Sequence, residues 1–204
     1  MTAPRPVKII PERSVLLICD LQTRFRPAVY QFDSVVKTVN KMIQIAKVVG
    51  VPVIVTEQNS RALGNTVPEV DLQSLGPLHL GTVEKTLFSM VTPEVISLLQ
   101  EHDLKSVIVM GIEAHICVLM SCLDLLSLGY DVHLLADGVS SSNKEEVPYA
   151  LERIRQAGAI VGTSESVAFQ LQVDCARPNF KIFAKTIKEE KERTKEVLQA
   201  LLPL

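Results

Sequence analysis

Val107-Ile108-Val109-Met110-Gly111-Ile112-Glu113-Ala114-His115-Ile116-Cys117-Val118, continuing through Leu119-Met120-Ser121-Cys122-Leu123-Asp124-Leu125-Leu126, decides how the chain is read. Its first part is a short apolar run rich in β-branched residues, the signature of a buried strand. Gly111 closes that run. From Ile116 the apolar residues recur at helical spacing, at Ile116, Met120, Leu123 and Leu126. The predicted order is strand, tight turn, helix, with Cys117 in the first turn of the helix. Unpaired amides at a helix N-terminus favour negative charge. A thiol held there loses its proton more readily, and the thiolate is the nucleophile. Free cysteine is also a common small core residue, so this stretch by itself leaves both roles open.

Towards the N-terminus, Thr92-Pro93-Glu94 starts a helix to about His102, with proline in its favoured first turn. Before it, Gly81–Thr86 reads as a short strand presenting Lys85, although a lysine is ordinarily a solvated surface charge. Residues 59–79 hold Gly64, Pro68, Gly76 and Pro77 and little periodicity, a connection of the length that is often functional. Val51–Thr56 is a strand with Pro52 at its start, where a missing amide costs least, and Glu57-Gln58 at its end. A helix from an Asp33 or Ser34 cap to Val49 carries Val35, Val39, Met42, Ile43 and Ala46 on one face and stops at Gly50. The continuous apolar run Ser14–Cys19 predicts a strand buried on both sides. It ends at Asp20, where an open α/β sheet places its sites; a loop or capping role is equally common for aspartate.

Towards the C-terminus, the helix of Cys117 stops at Gly129 and Asp131–Ala136 is a further strand. Asp137-Gly138 is expected to turn the chain and Ser140–Asn143 to cap a helix through Gln156. Ala159–Gly162 is a last short strand, and Thr163–Ser166 opens a helix with Val167, Phe169 and Leu171 among its apolar positions. Residues 180–202 read as a charged amphipathic helix broken once, with Lys188–Arg193 as a solvated face.

Strands alternate with helices throughout. The predicted fold is α/β, a three-layer Rossmann-like arrangement of a mostly parallel sheet with helices on both faces. Residues 1–204 are expected to form one domain, with 1–13 as an N-terminal tail and 180–204 as a charged helical extension. Hydrophobic residues make up 47% of the chain and charged residues 22%, the balance of a globular α/β protein. A net charge of −2 gives no reason to expect nucleic acid or an anionic membrane as partner. Cys19, Cys117, Cys122 and Cys175 lie in dissimilar contexts and resemble neither a disulfide framework nor a CxxC metal pair. Reduced thiols and a cytoplasmic protein are therefore expected. Residues 1–14 contain three basic residues and three prolines without an apolar core, which is no secretory signal; a short mitochondrial presequence is the alternative. No GxGxxG, Walker or HExxH pattern supports a nucleotide or zincin reading.

Asp20, Lys85 and Cys117 thus stand at the C-terminal ends of separate strands. Together they are a chemically complete set for a cysteine hydrolase: a carboxylate to take the thiol proton, an ammonium to stabilise the anions, and a thiolate to attack a carbonyl. Two backbone amides near the turn could hold the oxyanion.

Over about residues 14–172 the sequence resembles the isochorismatase-like cysteine hydrolases. The motifs are Leu17-Ile18-Cys19-Asp20-Leu21-Gln22 with Phe25, Glu84-Lys85-Thr86 with Phe88-Ser89-Met90, and Gly111–Val118. Thr56-Glu57-Gln58 and Leu63–Glu69 look like the isochorismatase domain-containing subgroup. The resemblance implies Asp20 as general base, Lys85 as its cationic partner and Cys117 as nucleophile, with a thioester intermediate. It also implies an oxyanion hole from the amides of Glu113 and Cys117 and a cis peptide between Ile112 and Glu113. Phe25, Gln58, Phe88, Met90 and His115 are implied as pocket residues. Isochorismatases proper carry a small residue where this chain has Cys117, which points towards a cysteine hydrolase of a small amide, ureide or related carbonyl compound; the alternatives are a non-catalytic interaction protein on the same fold and, least favoured, a ribonuclease. Nicotinamidases add an Asp/His/His metal site between the first two motifs, whereas this segment has no histidine before His79. Neither a metal nor a cofactor is expected; the expected partners are a small-molecule substrate and further copies of the chain in a homo-oligomer.

Overall fold

A computed structural model describes residues 7–202, so part of the expected N-terminal tail and the last two residues lie outside it. The strands are β1 (Ser14–Cys19), β2 (Val53–Gln58), β3 (His79–Lys85), β4 (Ser106–Ile112), β5 (Asp131–Ser140) and β6 (Ile160–Gly162). The α-helices are α1 (Phe32–Val49), α2 (Ser60–Leu63), α3 (Pro93–Glu101), α4 (Leu119–Ser127), α5 (Glu146–Gln156), α6 (Ser164–Gln172) and α7 (Phe180–Leu201). The strands form one all-parallel sheet in the order β3-β2-β1-β4-β5-β6. β1 and β4 are immediate neighbours, paired from Ser14–Ser106 to Cys19–Gly111.

Alternation along the strands divides the core into two layers. Leu16, Ile18, Ile108, Met110 and Ile112 pack with α1, α6 and α7 through Val35, Met42, Val167 and Phe183. Val15, Leu17, Cys19, Val107 and Val109 pack on the other face with α3, α4 and α5 through Val95, Leu99, Leu125 and Ile154. Cys19 therefore points to the face that carries α4.

Five local readings are corrected. First, Asp137-Gly138 does not turn the chain. β5 runs through both, and its pairing with β4 jumps from Val109–Leu134 to Gly111–Val139, so an irregularity in the strand absorbs them. Second, Ser140–Asn143 does not cap α5: Glu145 precedes that helix with no side-chain cap, and the serines bond elsewhere, as described below. Third, α1 begins at Phe32 from Gln31 in a left-handed conformation (φ 51°) rather than at an Asp33 or Ser34 cap. Fourth, α7 is unbroken, because residues 180–201 contain no proline or glycine and are rich in good helix formers. Its charged run is not wholly solvated either, since the Glu190 carboxyl turns inward beside buried Thr194.

The fifth correction concerns the deciding stretch. A single π-type turn, Ala114–Val118, intervenes between β4 and α4, with Cys117 inside it. Such insertions often occur at functional sites. Cys117, Val118, Ser121, Cys122 and Leu125 are buried, while the expected stripe lies outward, with Met120 exposed and Ile116, Leu123 and Leu126 half-buried. The helix has two apolar faces, and the one with the small residues fits against the sheet.

Residues 59–78 are more ordered than their composition suggests. They contain α2, a 3-10 segment at Gln73–Leu78 and an isolated antiparallel bridge between Gln22 and Thr66. The Glu57 carboxylate accepts from the Thr66 amide (2.6 Å) and hydroxyl (2.7 Å), tying this segment to the end of β2.

Candidate active site

Asp20, Lys85 and Cys117 converge at the C-terminal edge of the sheet. Asp20 follows β1 directly, with φ +48°, a conformation aspartate tolerates better than most residues. Its Oδ1 accepts from the Thr56 hydroxyl (2.7 Å) at β2, and its Oδ2 accepts from Lys85 Nζ (2.7 Å) at the end of β3. Both side chains are essentially inaccessible. A buried ion pair is tolerable only when the remaining hydrogen-bonding groups are satisfied. Here the ammonium also donates to Gln58 Oε1 (2.6 Å) and to the carbonyls of Leu87 and Phe88 (3.1 Å each).

Gln58 thus serves the ion pair: its side-chain amide donates to the Thr86 carbonyl (2.9 Å) while its oxygen takes Lys85. Gln22, fully buried, donates to the carbonyls of Gln58 (3.0 Å) and Gly64 (2.6 Å) and accepts from the Gln58 amide (2.7 Å). Gln22 and Thr56 lie within the sequence motifs, but their roles emerge only from these hydrogen bonds.

Cys117 reaches the same point from β4. Gly111 (φ +120°) packs on β1 so closely that a Cβ there would strike the Cys19 backbone, which only glycine avoids. The peptide between Ile112 and Glu113 is cis. The π-type turn then brings the Cys117 sulfur within 4.8 Å of both an Asp20 carboxylate oxygen and the Cys19 sulfur. Cys117 is 7% exposed and Cys19 is completely buried beneath it. The pKa of Cys117 falls below the ordinary thiol value, first because the Cys19 thiol hydrogen-bonds to its sulfur, with help from the Lys85 charge; burial and the Asp20 carboxylate act in opposition. The pKa of Cys19 moves the other way, chiefly through burial. The sequence alone places Cys19 only at the end of a buried apolar strand. Its place in the alternating series Val15, Leu17, Cys19 was the signal that it shares a face with α4.

The Cys117 carbonyl accepts from Ser121 Oγ (2.5 Å), which in turn accepts from the Met90 amide (2.7 Å). This chain of bonds ties the turn to the segment after β3. Met90 itself is fully buried in the core and Phe88 is 56% exposed. Phe25 ends a 3-10 turn, Thr23–Phe25, partly buried against the α1 layer. His115 is half-buried, its Nδ1 paired with Ser141 Oγ (2.9 Å), and the Glu113 carboxylate accepts from the Ser142 amide (2.6 Å). The side chains of Met90, Phe25 and His115 make no hydrogen bond to Asp20, Lys85 or Cys117; Met90 shares the core layer of Cys117, and Phe25 packs in the opposite one.

Two thiols and a carboxylate this close form a donor set that suits a soft divalent ion. The Lys85 ammonium already on Asp20 Oδ2 opposes a second cation there. Chemically, the set combines a thiol of lowered pKa, an adjacent carboxylate and a fixed positive charge.

The isochorismatase domain family matches residues 14–166. Isochorismatase domain-containing protein 2 of Xenopus laevis is 44% identical over 191 residues, covering 93% of this chain and 91% of that protein. A solved structure described as MAR1 ribonuclease from Caenorhabditis elegans superposes with a TM-score of 0.81 at 36% identity, covering 89% of this chain and 93% of the other. The YcaC protein of Escherichia coli, described as an octameric hydrolase of unknown specificity, shares the fold with a TM-score of 0.75 at 20% identity, covering 99% and 94%.

Proposed function

The chain belongs to the isochorismatase family, and from that premise we propose that it is a cysteine hydrolase opening a small amide, ureide or related carbonyl compound through a thioester. The observation that carries this reading is the Cys117 sulfur within 4.8 Å of a carboxylate that is itself paired with a buried lysine at 2.7 Å. Asp20 takes the thiol proton as the sulfur attacks the carbonyl carbon. The oxyanion is received by the amides of Glu113 and Cys117. The proton on Asp20 passes to the leaving nitrogen, the C–N bond breaks and the thioester remains. Water, deprotonated by Asp20, then attacks the thioester; the acid leaves and the thiol is restored. Lys85 holds the Asp20 carboxylate in position through the 2.7 Å ion pair. Phe25, Phe88, Met90 and His115 shape the substrate space, with Gln58 holding Lys85.

The substrate is a small molecule and the working form a homo-oligomer. Exposed Leu87 and Phe88 with Met120 (45% exposed) on the outward face of α4 supply an apolar patch beside the site for a second copy. We place the protein in the cytoplasm on its four free cysteines. No helix among the described residues is long and apolar enough to cross a membrane.

Ammonia or amine release across a panel of small amides and ureides tests the reading, with Cys117→Ala as control. Turnover should fall at least about 10³-fold in the variant. Turnover unchanged in the variant would sink it. So would RNA cleavage by the wild type without amide turnover, the outcome that the name of the C. elegans protein invites.

A further inference from the structure

We infer that Cys19 and Cys117 form a dithiol site whose co-reactant is a hydroperoxide, the two sulfurs closing into a disulfide. The inference goes beyond amide hydrolysis but rests on the reading of Cys117 as a reactive thiol. Three observations support it. The two sulfurs lie within 4.8 Å of one another, Cys19 at the end of β1 and Cys117 in the turn that follows the neighbouring strand β4. Strand alternation aims Cys19 at the face occupied by Cys117. Their accessibilities differ: Cys117 keeps a little exposed surface, whereas Cys19 has none. A peroxide reaching the site therefore meets Cys117 first, and that thiol is also the one whose pKa is lowered.

The chemistry balances. The Cys117 thiolate attacks one peroxide oxygen, the O–O bond breaks, and hydroxide leaves. Cys117 is now a sulfenic acid, oxidised by two electrons as the peroxide is reduced. The Cys19 sulfur attacks the sulfenic sulfur and gives up its proton; the S–O bond breaks and water leaves. The sum is two thiols and one hydrogen peroxide giving a disulfide and two waters. The bond needs the sulfurs at about 2.05 Å, so closing it requires Cys117, which lies outside the sheet in the π-type turn, to move towards Cys19. Cys122 is a poor competitor because burial in α4 pushes its thiol pKa well up, and Cys175 is an exposed residue in the α6–α7 connection. Once cross-linked, Cys117 is shielded from the irreversible sulfinic and sulfonic stages and is recovered by a thiol reductant.

The full chain is treated with hydrogen peroxide and followed by intact mass and peptide mapping, after a parallel iodoacetamide labelling of Cys117. The expected result is a mass lower by two hydrogens, a linked Cys19–Cys117 peptide, and full recovery of Cys117 labelling with dithiothreitol. In Cys19→Ser and Cys19→Ala, Cys117 should instead advance to sulfinic and sulfonic acid and lose its recovery. The wild-type linkage does not depend on either variant folding. Over-oxidation of wild-type Cys117 without the link, or a link to Cys122 or Cys175, overturns the inference and leaves the hydrolase reading intact if iodoacetamide labels Cys117. Resistance of Cys117 to both reagents overturns both.

Discussion

Two lysines are buried among the described residues, and they differ in what they face. Lys85 lies at the sheet edge with its ammonium on the Asp20 carboxylate at 2.7 Å and three uncharged oxygens around it. Lys41 lies where α1, α6 and α7 meet, and donates to the hydroxyls of Ser164 (3.1 Å) and Thr194 (2.9 Å), with its nearest carboxylate, Glu165, at 3.9 Å. Ser164 in turn donates to Asp137 (2.6 Å), so a hydroxyl stands between the two charges. Burial alone therefore does not identify a functional lysine. Lys85 is distinguished by direct pairing with a carboxylate that also approaches a thiol, whereas Lys41 joins three helices.

The largest expected difference between them is chemical. Lys85→Met should lower Cys117 alkylation at neutral pH and reduce amide turnover by about 10²–10⁴-fold, the range ascribed to a positioned acid–base system. Lys41→Met should leave both within about twofold, since local effects of a distant surface or core change are small. Stopped-flow alkylation and amine release check the pair. Equal losses in the two variants would remove the distinction between them.

Stability separates them next. Lys85→Met leaves Asp20 buried without its cation and should cost about 3–5 kcal/mol in urea unfolding. Adding Asp20→Asn should recover much of that without restoring activity, because the uncompensated charge is gone. Lys41→Met removes hydrogen bonds to hydroxyls, which keep other options, and should cost about 1 kcal/mol. A double variant no more stable than Lys85→Met would mean that the ion pair is not the source of the loss.

This contrast was half legible in the sequence. The apolar runs ending at Asp20 and before Cys117, with the short strand that presents Lys85, place three chemical groups at one sheet edge, because parallel strands of an open α/β sheet share that edge. Lys41 gave no such signal: it sits in a long amphipathic helix, and only the packing of α6 and α7 over it buries it. The same reason hid the partners of the site. Thr56 and Gln22 become partners of Asp20 and of the segment after β2 only when β1 and β2 pair. The buried face of α4 was not legible because periodicity finds apolar residues on both of its faces and cannot say which one the sheet selects. The irregularity in β5 was hidden because Asp-Gly is ordinarily a turn signal.

The pH dependence of folding tests the Lys41 side. Burial lowers the pKa of Lys41 below its ordinary value, partly offset by the charges of Asp137, Glu165 and Glu190. Between the lowered folded pKa and the ordinary value of an exposed lysine, the unfolded chain binds the proton more strongly. Stability therefore rises with pH across that window and is reduced below it. The gap in urea midpoint between wild type and Lys41→Met should shift in favour of the wild type as pH rises towards the ordinary lysine value. A gap constant with pH would mean that Lys41 is charged at no net cost and that its burial is fully compensated.

The smallest effect expected concerns the thiol that Lys85 serves, and it divides the credit between Lys85 and Cys19. The Cys117 pKa is lowered first by the Cys19 thiol and then by the Lys85 ammonium, against burial and the Asp20 charge. An S–H is a weak donor, so its loss should change a rate profile without abolishing reactivity. In Cys19→Ala the burial and Asp20 contributions persist while the donor is gone, and the midpoint of the alkylation rate against pH should move up. The plateau rate at high pH should stay close to wild type, because the thiolate is then fully formed in both and the crevice is unchanged. Lys85→Met should also move the midpoint up, and the combined variant further still, since one group acts on the sulfur by a hydrogen bond and the other through its charge. A plateau that falls while the midpoint stays fixed would mean that Cys19 fills space beneath Cys117 and contributes nothing to its ionisation. The lysine would then act without help from the thiol, and the contrast between the two buried ammonium groups would rest on Asp20 alone.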